Sequence, residues 1–216
     1  MLMSQEIENR IKQAGIVSVL VIEKQQHIRP VVEALLEGGV TAIELTLRTP
    51  IALEAVNIIH QGYPEMLLGV GTILTPDQTV QAKQAGADFG VSPGLNRKVM
   101  DAALEAALPF GPGIATPSDI ESALEYGCKL LKFFPAEPMG GLSYLRSMYA
   151  PYAHLGLSFI PLGGISQENL AEYAREKSIG AIGGSWIAAK KLIADQKWDT
   201  ITRQARDAVD VFFKER

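Results

Sequence analysis

A chain of 216 residues, 47% hydrophobic and 20% charged, has enough apolar surface for one well-buried domain and too few charges for a disordered one. A formal net charge of −4 argues against a nucleic-acid surface, while a small anionic ligand, which needs only a local site, stays compatible with it. The single cysteine, Cys128, excludes an intrachain disulfide framework and a Cys-rich metal site, and His27, His60 and His154 have no metal-binding spacing.

The opening MLMSQEIENRIKQ has no apolar signal segment, and no apolar run reaches membrane-spanning length, so a cytoplasmic domain is expected with no membrane contact. Within an N-terminal helical segment, residues 1–15, the spacing predicts a short helix over 4–14, capped by Ser4, with Ile7 and Ile11 one turn apart. Residues 16–22 then read as a buried strand, apolar except for Ser18. A helix over 27–37 follows, with Val31, Leu35 and Leu36 on one side and Gly38-Gly39 as its stop.

The same unit recurs along the chain. AIELTL (42–47) precedes a helix over 50–61 with Pro50 in its first turn, and LLGVGT (67–72) precedes a helix over 76–85. Residues 89–92 lead to a helix over 96–107, FGPGI (110–114) to one over 117–126, and LLKFF (130–134) to one over 142–149. Residues 157–162 lead to a helix from Ser166 to Arg175, and AIGGSW (181–186) to a final helical tract that includes 198–214. A helix after every strand demands a parallel sheet, because a parallel pair needs a crossover. Eight such units in a chain of this length predict one (β/α)₈ barrel domain over 1–216. A doubly wound open sheet is the competing architecture. The glycines do not match the dinucleotide fingerprint, which removes its usual ligand.

In a barrel of this kind the chemistry sits where the strands end. Those ends carry Glu44, Thr46 and Arg48, Thr72, Ser92-Pro93, Thr116, Lys132, Gly163-Gly164 and Gly183-Gly184-Ser185. Lys132 interrupts the apolar run Leu130–Phe134, so its ammonium is expected to lack water and to need an anion or lose a proton. A neutral lysine amine is a nucleophile toward carbonyls. Glu44 interrupts a second apolar strand, and period-2 alternation puts 44, 46 and 48 on one face. Lys132 and Glu44 together form a nucleophile and an acid/base, or alternatively a purely structural buried ion pair. Arg48 offers a bidentate fork for a carboxylate or phosphate. The glycine pairs after strands seven and eight let backbone N–H groups close on an anion, and Ser185 adds a hydroxyl.

The motifs ELTLRTP (44–50), GVGTILTPDQ (69–78), GADFGVSPGLN (86–96), PGIATPSDI (112–120), LKFFPAE (131–137), LGGIS (162–166) and IGGSW (182–186) span most of the chain. Together they resemble the bacterial 2-keto-3-deoxy-6-phosphogluconate (KDPG) aldolases, also called 4-hydroxy-2-oxoglutarate (KHG) aldolases. The resemblance implies a class I aldolase on a (β/α)₈ barrel, a homotrimer, using no metal or other cofactor. It implies Lys132 as the Schiff-base residue and Glu44 as the acid/base, with Arg48 and Thr72 on the pyruvyl carboxylate. Pro93 and Phe134 would line the pocket, and Gly163, Gly164, Gly184 and Ser185 would surround a phosphate.

One departure stands out. The family's P-T-G-G-I is here Pro161-Leu162-Gly163-Gly164-Ile165, so Leu162 removes a hydroxyl from the part of the site beyond the reacting carbonyl. A site that loses a hydrogen bond loses discrimination more readily than chemistry. The expected substrate is therefore a 2-keto acid, phosphorylated (KDPG) or not (KHG), with the galactonate epimer as the nearest alternative. A phosphosugar isomerase and a non-catalytic phosphate-binding barrel are the more distant readings.

Overall fold

A computed structural model describes residues 2–216; Met1, the first residue of the expected N-terminal segment, lies outside the described residues. Among the described residues, strands β1 (Ile16–Leu20), β2 (Ala42–Thr46), β3 (Leu67–Gly71), β4 (Phe89–Val91) and β5 (Phe110–Gly111) pair in parallel, in chain order. The ladder resumes through β6 (Gly113–Ile114), β7 (Leu130–Phe133) and β8 (Ser158–Pro161). The last strand, β9 (Ile182–Gly184), pairs with β1, and a parallel bridge between Phe159 and Ile179 joins β8 to the approach of β9. The sheet therefore closes on itself as a (β/α)₈ barrel, with β5 and β6 as two halves of one stave.

Pro112 divides that stave for a simple reason. It has no N–H to donate, so the ladder cannot run through it as a donor. Its carbonyl still accepts from the Lys132 N–H at 3.0 Å, which keeps β7 in register.

Two cores follow from the alternation of side chains along the strands. Inside the barrel lie Val17, Ala42, Leu67, Phe89, Val91, Leu130, Ile160 and Ala181. A Cβ at Gly69 would overlap the Phe89 ring, so the absent side chain on one stave makes room for the large one on the next. Helix α1 (Gln5–Ala14), capped by Ser4, packs Ile7 and Ile11 into this inner cluster and seals the end of the barrel where the strands begin. The outer core lies between the strands and the helices α2 (Ile28–Glu37), α3 (Ala52–Gly62), α4 (Pro76–Gln84), α5 (Arg97–Glu105), α6 (Pro117–Glu125), α7 (Gly141–Tyr149), α8 (Leu170–Ala174), α9 (Lys190–Ala194) and α10 (Trp198–Lys214). In α10 the residues Ile201, Ala205, Ala208 and Phe212 form one buried stripe. Gly38 lets α10 approach closely, since a Cβ there would strike Ala205.

Two helix expectations are corrected. The segment after Gly164 does not start its helix at Ser166; α8 begins at Leu170. The Asn169 side chain takes over the local backbone, accepting from the Ser166 N–H at 2.8 Å and donating to the Gly164 carbonyl at 3.2 Å. Pro50 also stands outside its helix: Ala52 N–H bonds to the Thr49 carbonyl in a turn, and α3 starts at Ala52. No helix among the described residues is long and apolar enough to cross a membrane.

Candidate active site

The end of the barrel opposite α1 opens into a cavity of about 420 Å³. At its floor Lys132, on β7, meets Glu44, on β2, across the barrel interior. The ammonium donates to both carboxylate oxygens, at 2.9 Å each. Lys132 is 6% exposed and Glu44 3% exposed, so each charge has lost most of its water and the other replaces it. The Phe134 ring, 5.5 Å from the Lys132 nitrogen, closes another side of the amine. Gly71, on the neighbouring strand, leaves the space in which the carboxylate sits.

Arg48 and Thr72 form a second polar element on the same cavity. Arg48 Nε donates to Thr72 Oγ1 at 3.2 Å. Thr72 has a φ of 62°, in the left-handed region that side chains other than glycine rarely occupy. Such a conformation costs about 1–3 kcal/mol and is held by its surroundings. Here it follows directly after β3 and turns the hydroxyl toward Arg48.

The third element is the glycine-rich side. Gly163 and Gly164 have φ values of 93° and 84°, a backbone that needs glycine at both positions. Glu137 locks this turn: its N–H donates to the Gly163 carbonyl at 3.0 Å, and its side chain occupies the space a Cβ on Gly164 would fill. The buried Tyr173 hydroxyl donates to Glu137, and burial together with that carboxylate holds the phenol well above its ordinary pKa. Leu162, Gly163, Gly184 and Ser185 all line the cavity, as do Pro93 and Phe134. Gly164 does not; it is exposed and supports the turn from behind.

The geometry sorts the other strand-end residues. Thr46 is buried and spends its hydroxyl on the Leu20 carbonyl at 2.9 Å. Thr116 caps α6 in a reciprocal capping box with Asp119, and Ser92 donates to the Gly94 carbonyl at 2.6 Å. Lining residues without a sequence signal of their own are Ala188, Ala189 and Lys190, while Ile165 and Trp186 lie within the LGGIS and IGGSW motifs. Val19 and Val21 also line it, and they do have one: they share the inward parity of Val17 on the first strand. Among the described residues no group of three or more His, Cys, Asp or Glu side chains is arranged to hold a metal ion.

A buried lysine between two carboxylate oxygens, an arginine fork beside it and a glycine-rich turn beyond it make a site for an anionic carbonyl compound. Comparison with known proteins gives the family. The family profile described as "Aldolase: KDPG and KHG aldolase" matches residues 7–204. The KHG/KDPG aldolase of Escherichia coli (strain K12) is 39% identical over 203 residues, 94% of each chain. The KDPG aldolase of Legionella pneumophila, solved with pyruvate captured at low pH as a covalent carbinolamine intermediate, superposes with a TM-score of 0.88 at 34% identity, covering 92% of this chain and 96% of that one. The 2-keto-3-deoxy-6-phosphogluconate aldolase of Zymomonas mobilis ZM4, solved with 3-phosphoglycerate, gives a TM-score of 0.85 at 37% identity, covering 94% and 95%.

Proposed function

The chain belongs to the KDPG and KHG aldolase family, and from that premise we propose that it cleaves KDPG to pyruvate and glyceraldehyde 3-phosphate, and 4-hydroxy-2-oxoglutarate to pyruvate and glyoxylate, through an imine on Lys132. The observation that carries this reading is the buried Lys132 nitrogen bonded to both Glu44 oxygens at the floor of an open cavity.

Glu44 accepts a proton from Lys132, and the free amine attacks the C2 ketone to form a carbinolamine. Arg48 and Thr72 hold the substrate carboxylate, which fixes the ketone at attack distance. Glu44 then returns a proton to the departing hydroxyl, water leaves, and the iminium forms. With the iminium as electron sink, Glu44 removes the C4 hydroxyl proton, the C3–C4 bond breaks and the aldehyde departs. The C3–C4 bonding pair becomes the C2=C3 double bond of the enamine, and the iminium π pair returns to the Lys132 nitrogen. Protonation at C3 and hydrolysis of the imine release pyruvate and restore the amine. Lys132 supplies the electron sink itself, so the scheme calls on no metal or other cofactor.

Leu162 favours one variant of this reading. Its apolar side chain lies over Gly183 where a hydroxyl would have contacted the substrate, so cleavage of the galactonate epimer is the second candidate. We further propose that the protein works as a cytoplasmic homotrimer, with the whole chain as one barrel domain. The exposed Leu74, Val80 and Leu104, on or beside the neighbouring helices α4 and α5, are surfaces a partner copy would cover. The test is trapping: pyruvate with borohydride is expected to leave a covalent mass adduct on Lys132 and to abolish turnover. An adduct elsewhere, or none, would overturn the imine mechanism.

A further inference from the structure

Four lining residues of the cavity carry charge: Glu44, Arg48, Lys132 and Lys190. The first and third neutralise each other on the floor. Arg48, hydrogen-bonded to Thr72 at the end of β3, is assigned to the substrate carboxylate. Lys190 is then the remaining cation, and it stands on the rim that also carries Ser185, Trp186 and Ala189. Its partner is Glu23, beyond β1, at 2.9 Å.

That partner holds it weakly. The Lys190 side chain is 59% exposed and that of Glu23 50%, and ion pairs this open to water are screened and contribute little. A phosphate dianion carries more charge than a carboxylate and accepts stronger, charge-assisted hydrogen bonds. It therefore competes effectively for the ammonium, and the flexible lysine stem allows the change of partner. Glu23 meanwhile sets a negative charge at the mouth that opposes an arriving dianion and lowers its gain.

We infer that Lys190 binds the distal phosphate of the substrate and that Glu23 competes with that phosphate for it. The pair then sets the preference between phosphorylated and unphosphorylated 2-keto acids. This rests on the aldolase reading above, with the carboxylate end at Arg48 and the phosphate on the Ser185 side as the family resemblance implies. The role is one of binding: Lys190 touches no reacting atom.

The test is steady-state kinetics of pyruvate release from KDPG and from 4-hydroxy-2-oxoglutarate, with the wild-type chain, Lys190→Ala, Lys190→Gln, Glu23→Gln and the double variant Glu23→Gln/Lys190→Ala. Both Lys190 variants are expected to raise KM for KDPG by roughly three- to tenfold, the size of a charge-assisted hydrogen bond at a site open to water, and to do so far more than for the unphosphorylated substrate. Glu23→Gln is expected to lower KM for KDPG about two- to fivefold, an effect that vanishes in the double variant. Equal changes for the two substrates, or no change for KDPG, would overturn the inference while leaving the aldolase reading intact. A wild-type chain that cleaves neither substrate and forms no pyruvate adduct would instead remove the reading on which it rests.

Discussion

Gly71 and Glu44 share one space: a Cβ built on Gly71 would overlap the Glu44 carboxylate. The backbone of Gly71 is not in the left-handed region, so the glycine is required by volume and not by conformation. A residue on β3 thus decides where a carboxylate on β2 can stand, and through it where Lys132 is held. Gly71→Ala is expected to push Glu44 off Lys132 and lower kcat roughly a hundredfold, as misplacements of about 1 Å do. Circular dichroism should show the barrel retained, which separates the effect from unfolding.

Glu44→Gln keeps the shape and removes the charge. The Lys132 ammonium is then buried without a counter-charge, at a stability cost of about 3–5 kcal/mol. The proton acceptor for the imine steps is also lost, for a fall in kcat of about 10²–10⁴. Urea unfolding and single-turnover trapping of pyruvate check the two halves separately. A variant with wild-type trapping rates would remove Glu44 from the mechanism.

Leu162→Thr restores a hydroxyl above Gly183. The ratio of kcat/KM for the gluconate over the galactonate substrate is expected to rise about tenfold, because a polar contact discriminates where an apolar one does not. Imine formation with pyruvate should be little altered, since Leu162 does not contact Lys132 through a hydrogen bond. Competition between the two epimers in one assay gives the ratio directly.

Glu176 ties α7 to the loop after α8. Burial alone would raise its pKa, but hydrogen bonds from Arg146 Nε at 2.6 Å and from the Ser178 N–H and hydroxyl outweigh it, and the net shift is downward. A carboxyl lowered in the folded state stabilises above its unfolded pKa, about 4.5, and that contribution is lost as pH falls through the folded value. Arg146 is more than half exposed, so screening keeps the effect at about 0.5–1 kcal/mol. Glu176→Gln should therefore lower stability by that amount at pH 7 and by almost nothing well below the folded pKa, as thermal melts across pH would record.

Cys128 is fully buried just before β7, and burial pushes its thiol up to about 12. Iodoacetamide at neutral pH is expected to leave it unmodified and activity unchanged, because the thiolate is scarce and out of reach. Labelling should appear only once the chain is unfolded in denaturant.

Much of this architecture was legible in the order of residues. Apolar runs of strand length followed by helical stripes repeat along the chain, and α10 spans the very residues its stripe predicts, Trp198–Lys214. Period-2 parity put Glu44 on one face with residues 46 and 48, because alternation is a local property of a strand. What stayed illegible were features set by competition between local groups. The Asn169 amide delays α8 to Leu170, and Pro112 splits a stave that reads as continuous.

Which inward residues meet was decided only by closure of the barrel. Lys132 and Glu44 lie 88 residues apart, and no spacing rule joins them; the curvature of the paired strands does. The same closure sorted the hydroxyls, leaving Thr72 beside Arg48 while Thr46 and Thr116 bond to their own backbone surroundings or a helix cap. It also brought Lys190, the first residue of the short helix α9, to the rim. Sequence by itself determined the repeating unit and the residue types available for chemistry, because those depend on neighbours along the chain. Tertiary structure decided the partners, because a charge buried on one strand is stabilised only by what another strand carries to the same point in space.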